Sequence, residues 1–143
     1  MRLHQEGGSD LVGNFQCGQS DYSTVTVWHE AKAAICVARG FLYLVPYARP
    51  PEYEAHEGTF SAVVLSPSGA TLYAVDSDRV LAFGLDLRIR WKREEEVWEH
   101  GSCVVLDRVE DGAILVSAQF DLDGPWTRYV LAEHDGKLVA GGT

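Results

Sequence analysis

Positive charge is scarce in this sequence. It has 12 lysines and arginines against 21 aspartates and glutamates, which gives a formal net charge of −9. A nucleic-acid partner needs a basic face for its phosphates, and an anionic membrane surface attracts basic clusters, so neither partner is expected. The charge favours a basic protein as partner, although an acidic surface also serves simply to keep a protein soluble.

Cysteines and long apolar runs are also scarce. The three cysteines show neither CxxC nor Cys/His metal-ligand spacing, and a sparse, odd number of them is typical of a reducing compartment. No stretch reaches the roughly 18 uninterrupted apolar residues of a membrane helix. The first residues, MRLHQEGG, contain no apolar core of a signal peptide. We therefore expect a cytoplasmic protein.

Catalytic motifs are missing as well. The sequence has no phosphate-binding glycine loop, no nucleophile-elbow motif and no HExxH zinc motif. Four of the five histidines stand next to a glutamate, but neighbouring side chains of a strand point to opposite faces. Such a pair could therefore chelate one ion only in a turn. We predict no catalytic residue and no cofactor.

What the sequence does contain is a three-fold echo. The pattern of serine, any residue, valine, any residue and then valine or leucine occurs at 23–27, 61–65 and 102–106. The serines are 38 and 41 residues apart, which is the length of one small β-sheet module in a stacked array. Turn residues and further short apolar runs follow each echo, as in antiparallel strands. The echo therefore predicts a repeat protein built from β-sheets.

The repeats define the expected organisation of the chain. Residues 1–20 are predicted to form an N-terminal arm with one short strand at 11–17. Residues 21–143 form a single all-β domain with repeats at about 21–58, 59–98 and 99–143. Repeats two and three each contain four predicted strands, whereas repeat one contains three and a proline-stiffened connector at 46–58. The alanine-rich segment 30–38 fits a strand or a short helix, and its match to the middle repeat favours the strand.

The middle repeat also resembles a known family. The segment SPSGATLYAVD, residues 66–76, resembles the strand–turn–strand unit of β-propeller blades of the WD-like and YVTN-like type. The run Val80–Phe83 followed by Trp91 is similar to the later strands of quinoprotein-like blades. The resemblance implies an all-β fold of three antiparallel β-meanders that pack like propeller blades. It implies no cofactor, because the Trp-Asp pair and the quinone-type repeat motif are absent.

The number of repeats leaves the assembly open. Closed propellers typically have 4–8 blades, and three repeats fall short of that. The alternatives are a homodimer that completes a six-bladed ring, an open arc, and a β-sandwich or barrel.

Loop carboxylates are one group of candidate site residues. Asp121 and Asp123 resemble the start of a calcium loop, and Asp76 and Asp78 have the same spacing. The further ligands of such a loop are missing. Aspartates in these positions more often accept hydrogen bonds from the backbone of their own turn. A metal site is therefore the less favoured interpretation of these four residues.

Aromatic residues outside the repeats are the other group. Tyr47, Tyr53, Trp98 and Trp126 lie in predicted loops and linkers. Exposed tryptophan and tyrosine in loops commonly anchor protein partners. The favoured interpretation is nevertheless that these side chains close the ends of the sheets as part of the core.

These observations predict a non-enzymatic protein-interaction module. Its more specific form is a small acidic neutraliser of a basic partner, in the manner of an immunity protein for a toxin. The alternative is a small-ligand binder or a metal-dependent enzyme whose cavity is lined by the loop carboxylates. In either case the function is expected in the non-repeating parts, 46–58, 94–101 and 121–126, because no repeated position carries a reactive side chain.

Overall fold

Short runs of β-branched and aromatic residues form strands throughout the described part of the chain. The computed structural model describes residues 2–3, 11–12, 15–48, 52–94, 103–110, 112–119 and 123–141. At the N-terminal end, β1 (Arg2–Leu3) pairs with β2 (Leu11–Val12) in a small antiparallel ribbon. A helix long and apolar enough to cross a membrane does not occur among these residues.

Three four-stranded antiparallel sheets follow in sequence order, each a meander whose neighbouring strands are consecutive in the chain. Sheet 1 contains β3 (Thr24–Trp28), β4 (Ala33–Ala38), β5 (Phe41–Pro46) and β6 (Glu54–His56). Sheet 2 contains β7 (Ala62–Leu65), β8 (Leu72–Val75), β9 (Val80–Phe83) and β10 (Ile89–Arg93). Sheet 3 contains β11 (Cys103–Glu110), β12 (Ala113–Gln119), β13 (Trp126–Ala132) and β14 (Leu138–Gly141). The predicted all-β fold of three blade-like repeats is confirmed.

Sheet 2 lies between the other two sheets and is buried on both faces. Side chains alternate along its inner strands, so Leu72 and Phe83 join the core with sheet 1, whereas Tyr73 and Val80 join the core with sheet 3. We call the face of each sheet that points towards the next sheet its front face, and the opposite face its back face. Sheets packed in series in this way are unlike the two sheets of a sandwich or the single closed sheet of a barrel.

The sequence echo marks the positions whose side chains pack against the preceding sheet. Val63 and Leu65 pack on the core with sheet 1, and Val104 and Leu106 pack in the same manner on the core with sheet 2. These are the third and fifth positions of the echo. The repeated pattern therefore encodes the interface between consecutive sheets.

Two indole groups tie consecutive sheets together. The Nε1 of Trp28, in sheet 1, donates a hydrogen bond to the carbonyl oxygen of Gly69 in the β7–β8 turn at 2.6 Å. The Nε1 of Trp91, in sheet 2, donates to the carbonyl oxygen of Glu133 at 3.0 Å. Gly136 has a φ of 68°, and a Cβ there would lie 2.5 Å from the Trp91 ring. Glycine therefore lets the turn after β13 pass close to the indole.

Tyr73 adds a buried polar link between sheets 2 and 3. Its hydroxyl donates to Oε1 of Glu133 at 2.9 Å, and the other carboxylate oxygen of Glu133 accepts the backbone N–H of Gly112 at 3.0 Å. Burial raises the pKa of Tyr73, and the hydrogen bond to Glu133 raises it further. The hydroxyl is therefore a donor throughout the physiological pH range.

We expect Tyr73→Phe to lower the free energy of unfolding by about 1–2 kcal/mol, because Glu133 loses its donor at a partly buried site. Urea denaturation measures the effect. Tyr47→Phe is the matched control, since the Tyr47 hydroxyl has no hydrogen bond among the described residues. Equal losses in the two variants would contradict a specific role for the Tyr73 hydroxyl.

The structure differs from the sequence-based prediction at three places. The connector after β5 contains a fourth strand, β6, whose residues pair with Leu42–Leu44 of β5. The strand predicted at 11–17 is limited to Leu11–Val12, and its partner Arg2–Leu3 lies in the part predicted to be a loose arm. The alternation of apolar Leu87, Ile89 and Trp91 with basic residues predicts a last strand of sheet 2 that begins at Leu87. Leu87 instead has a φ of 64° and lies in a turn, where its N–H donates to the carbonyl oxygen of Gly84. The segment 33–38 is a strand, as favoured.

Candidate functional site

A groove of about 550 Å³ lies where the turns of sheets 1 and 2 meet. One wall comes from the β3–β4 turn and from the chain after β5, and the other comes from the β9–β10 turn. Its charged and aromatic lining residues are Lys32, Glu52, Tyr53, Glu54, Asp86 and Arg88. We call this feature the acidic groove, because its carboxylates outnumber its cationic groups by three to two.

Tyr53 is the aromatic residue of the acidic groove. Its side chain is 58% exposed, and its ring stands edge-on to that of Tyr43, with ring centroids 5.9 Å apart. Tyr43 is in turn fixed by a hydrogen bond from its hydroxyl to the carbonyl oxygen of Gln16 at 2.8 Å. The Tyr53 ring is therefore held in place by an aromatic contact while much of it faces solvent.

Backbone hydrogen bonds hold the walls of the acidic groove. The N–H of Tyr47 donates to the carbonyl oxygen of Lys32 at 2.9 Å, which joins the chain after β5 to the β3–β4 turn. Oδ1 of Asp86 accepts the N–H of Arg88 at 3.1 Å and closes the opposite turn. Tyr47 itself is half-buried, and burial raises its pKa. The groove is thus a preformed feature of two turns.

A second surface is the front face of sheet 3, which no other sheet covers in the described part of the chain. Val105, Ser117 and Arg128 are in register across β11, β12 and β13, and Leu115 and Val130 form the neighbouring row. Val105 is 41% exposed and Trp126, at the start of β13, is 48% exposed. We call this surface the open front face.

The back face of sheet 1 is its counterpart. Val25 and Val27 belong to the sequence echo and point to the same face as Cys36 and Tyr43, yet they are 47% and 36% exposed. Phe15 packs on Tyr43 at the β5 side of this face, with ring centroids 4.7 Å apart. Ala34, Cys36 and Tyr43, in the β4 and β5 part of this face, are already buried. The β3 side, with Val25 and Val27, is left uncovered by the described residues, and we call this β3 side the open back face.

Asp76 is occupied by protein donors. Its Oδ1 accepts the N–H groups of Thr59 at 2.9 Å and Ser77 at 2.7 Å, together with the Thr59 hydroxyl at 2.6 Å. Its Oδ2 accepts Nε of Arg79 at 3.0 Å. Burial by itself raises the pKa of Asp76, but these hydrogen bonds and the Arg79 charge outweigh it and hold the pKa below its ordinary value. The carboxylate closes the β8–β9 turn.

The remaining carboxylates of the calcium-loop hypothesis are dispersed. Asp78 lies in the same turn as Asp76, Asp123 is exposed before β13 in sheet 3, and Asp121 lies outside the described residues. Within the described ranges, no three histidine, cysteine or acidic side chains are grouped so that they could hold a metal ion.

The four aromatic candidates do not form one surface. Tyr53 lines the acidic groove and Tyr47 lies beside it, whereas Trp126 is on the open front face of sheet 3. Trp98 lies outside the described residues. The sequence predicts that three repeats leave two sheet faces without a partner, but the prediction assigns no residues to those faces. The signal that could have found them is the echo itself, since its valines in the first repeat have no preceding sheet in the described structure.

Comparisons with known proteins give likenesses among solved structures. No protein-family model matches the chain, and no curated protein sequence does. Among solved structures, the chain is similar to the WD40 domain of SCAP from fission yeast, with a TM-score of 0.39 and 9% sequence identity. The match covers 88% of this chain and 38% of that one, so the chain spans less than two-fifths of its length. The fold is defined by the three four-stranded sheets themselves.

Proposed function

We propose that this protein is a non-enzymatic interaction module that binds a basic segment of a partner protein in the acidic groove. The observation that carries the proposal is the exposed, supported ring of Tyr53 beside the carboxylates of Glu52, Glu54 and Asp86. An aromatic face next to carboxylates suits a lysine or arginine side chain, which can contact the ring and pair with the acids.

The charge of the whole chain supports the same kind of partner. A net charge of −9 attracts a basic protein and speeds its association, and this effect weakens as salt is added. The narrower form of the proposal is that the chain neutralises its partner by covering a basic functional surface. That form requires that binding also lowers the partner's activity.

The test is a comparison of peptides of equal length that are lysine/arginine-rich, neutral or acidic, with binding measured by fluorescence anisotropy. We expect only the basic peptides to bind and their affinity to fall with added salt. The triple variant E52Q/E54Q/D86N is expected to weaken binding at least about tenfold, and Tyr53→Ala about fivefold to tenfold.

The matched control is the triple variant D21N/E94Q/D123N. It removes the same three charges from exposed positions outside the acidic groove, so it reports the effect of net charge alone. We expect it to weaken binding by less than about threefold. Equal effects of the two triple variants, or equal binding of neutral and basic peptides, would refute binding in the groove.

A further inference from the structure

The first and last sheets carry the two complementary halves of one kind of interface. Each junction inside the chain joins the front face of one sheet to the back face of the next, through the third and fifth echo positions. The first repeat presents these positions as Val25 and Val27 on the open back face, where they are exposed. The third repeat presents the open front face, where Val105 is exposed.

From this we infer that two copies of the chain associate head to tail, with the open front face of each copy packed on the open back face of the other. The occupant of each open face is then a sheet of the type that the chain already packs twice within itself. One two-fold axis generates both contacts at once, so the association closes at two copies and six sheets. This inference does not rest on the acidic groove, which lies at the turns between sheets 1 and 2, although Tyr53 of the groove contacts Tyr43 on the back face of sheet 1.

The chemistry of the two faces suits this contact. The residues of β3, β4 and β5 that face backwards are uncharged: Val25, Val27, Ala34, Cys36, Ala38, Phe41, Tyr43 and Val45. Because Ala34, Cys36 and Tyr43 are already buried within the chain, the apolar surface left for a second copy is that of Val25 and Val27 on β3. On the open front face, Arg108 and Glu110 pair with each other, with 2.7 Å between Nε and Oε1, near the end of β11. The apolar part of that face is formed by Val105, Leu115 and Val130, and it lies beside the exposed side chain of Arg128. Burying exposed valines of this kind is favourable in proportion to the apolar area removed from water.

The strands that meet in the inferred dimer correspond to the strands that meet at the junctions inside the chain. Strand β11 approaches β7 and β8 across the junction of sheets 2 and 3. In the inferred dimer, β3 of a second copy takes the place relative to β11 that β11 takes relative to β7 within the chain. This arrangement brings Val25 of one copy towards Val105 of the other. A substitution at either position therefore reaches both contacts of the dimer.

The test measures mass in solution by light scattering for the whole chain, V25D and V105D. We expect twice 15.8 kDa for the unchanged protein at micromolar concentration and 15.8 kDa for each variant. Each variant is expected to raise the dissociation constant at least about 100-fold, since a carboxylate without a partner would be buried at both contacts. The control is V139D, because Val139 is 65% exposed in the edge strand β14 at the opposite side of sheet 3.

A mixing experiment tests the head-to-tail geometry. The V25D copy keeps an intact front face and the V105D copy keeps an intact back face, so an equimolar mixture can form one complete contact. We expect the mixture to contain a heterodimer that neither variant forms alone. A monomeric unchanged protein, open-ended oligomers, a V25D variant that still dimerises, or a mixture that stays monomeric would each overturn the inference. The control for each variant is its circular dichroism spectrum, which we expect to match that of the unchanged protein.

Discussion

Replacing Trp28 with alanine is expected to lower the free energy of unfolding by about 3–5 kcal/mol, the range for removing a large aromatic side chain from a core. Trp28 is fully buried between sheets 1 and 2, among residues from both sheets. The substitution leaves a cavity at the junction and removes the donor from the Gly69 carbonyl oxygen. Chemical denaturation followed by circular dichroism, at one fixed protein concentration, measures the loss.

Trp28→Phe tests the contribution of the hydrogen bond, and Tyr53→Ala is the control for loss of an exposed aromatic ring. Trp28→Phe keeps an aromatic ring but lacks the N–H donor, and we expect it to cost about 1–2 kcal/mol. Tyr53→Ala removes an aromatic ring that is more than half exposed, and its cost is expected to stay within about 1 kcal/mol. A loss for Trp28→Ala no larger than that for Tyr53→Ala would contradict its role in joining the two sheets.

The alternation of side chains explains why the three sheets could be predicted from the sequence. The middle repeat shows this best, because Leu72, Tyr73, Ala74 and Val75 are all apolar, and a strand without polar alternation is buried on both faces. The turns between these strands could also be predicted from the sequence. Ser66-Pro67-Ser68-Gly69 contains a glycine with a φ of 72°, which the turn requires.

Strand β6 could not be predicted because its cause is tertiary. Glu54, Ala55 and His56 include no β-branched or aromatic residue of high strand preference, and they follow a proline-rich stretch. They pair because β5 presents a row of backbone groups that needs partners. The charged, short character of β6 fits its place at the edge of the sheet.

The candidate site was predicted only in its residue types. The sequence identifies Tyr53 as a loop aromatic. Its three carboxylate neighbours are Glu54 in β6, Glu52 directly before Tyr53, and Asp86 in a turn of the next sheet. Sequence spacing cannot show which turns of two sheets meet. The two indole hydrogen bonds could not be predicted for the same reason, since Trp28 and Gly69 are 41 residues apart and Trp91 and Glu133 are 42 residues apart.

Asp76→Asn is expected to lower the free energy of unfolding by about 2–4 kcal/mol at neutral pH, because the side chain is buried and charged and it binds donors on two segments. The amide keeps one acceptor oxygen but places an NH₂ group against the Arg79 guanidinium. Asp123→Asn is the matched control, since Asp123 is exposed, and its effect should stay within about 0.5 kcal/mol. Equal effects would show that the turn does not depend on the Asp76 carboxylate.

The effect of Asp76 should also depend on pH in a defined direction. Its pKa is lower in the folded protein than the value of about 3.9 in an unfolded chain, so the unfolded state binds the proton more readily. The stabilisation is therefore complete above about pH 5 and is lost as the pH falls through the folded pKa. Since His56 and other groups also titrate on acidification, the difference between the unchanged protein and D76N isolates this carboxylate. We expect that difference to narrow below about pH 4, and a difference that stays constant down to pH 2 would contradict the structural role of the charge.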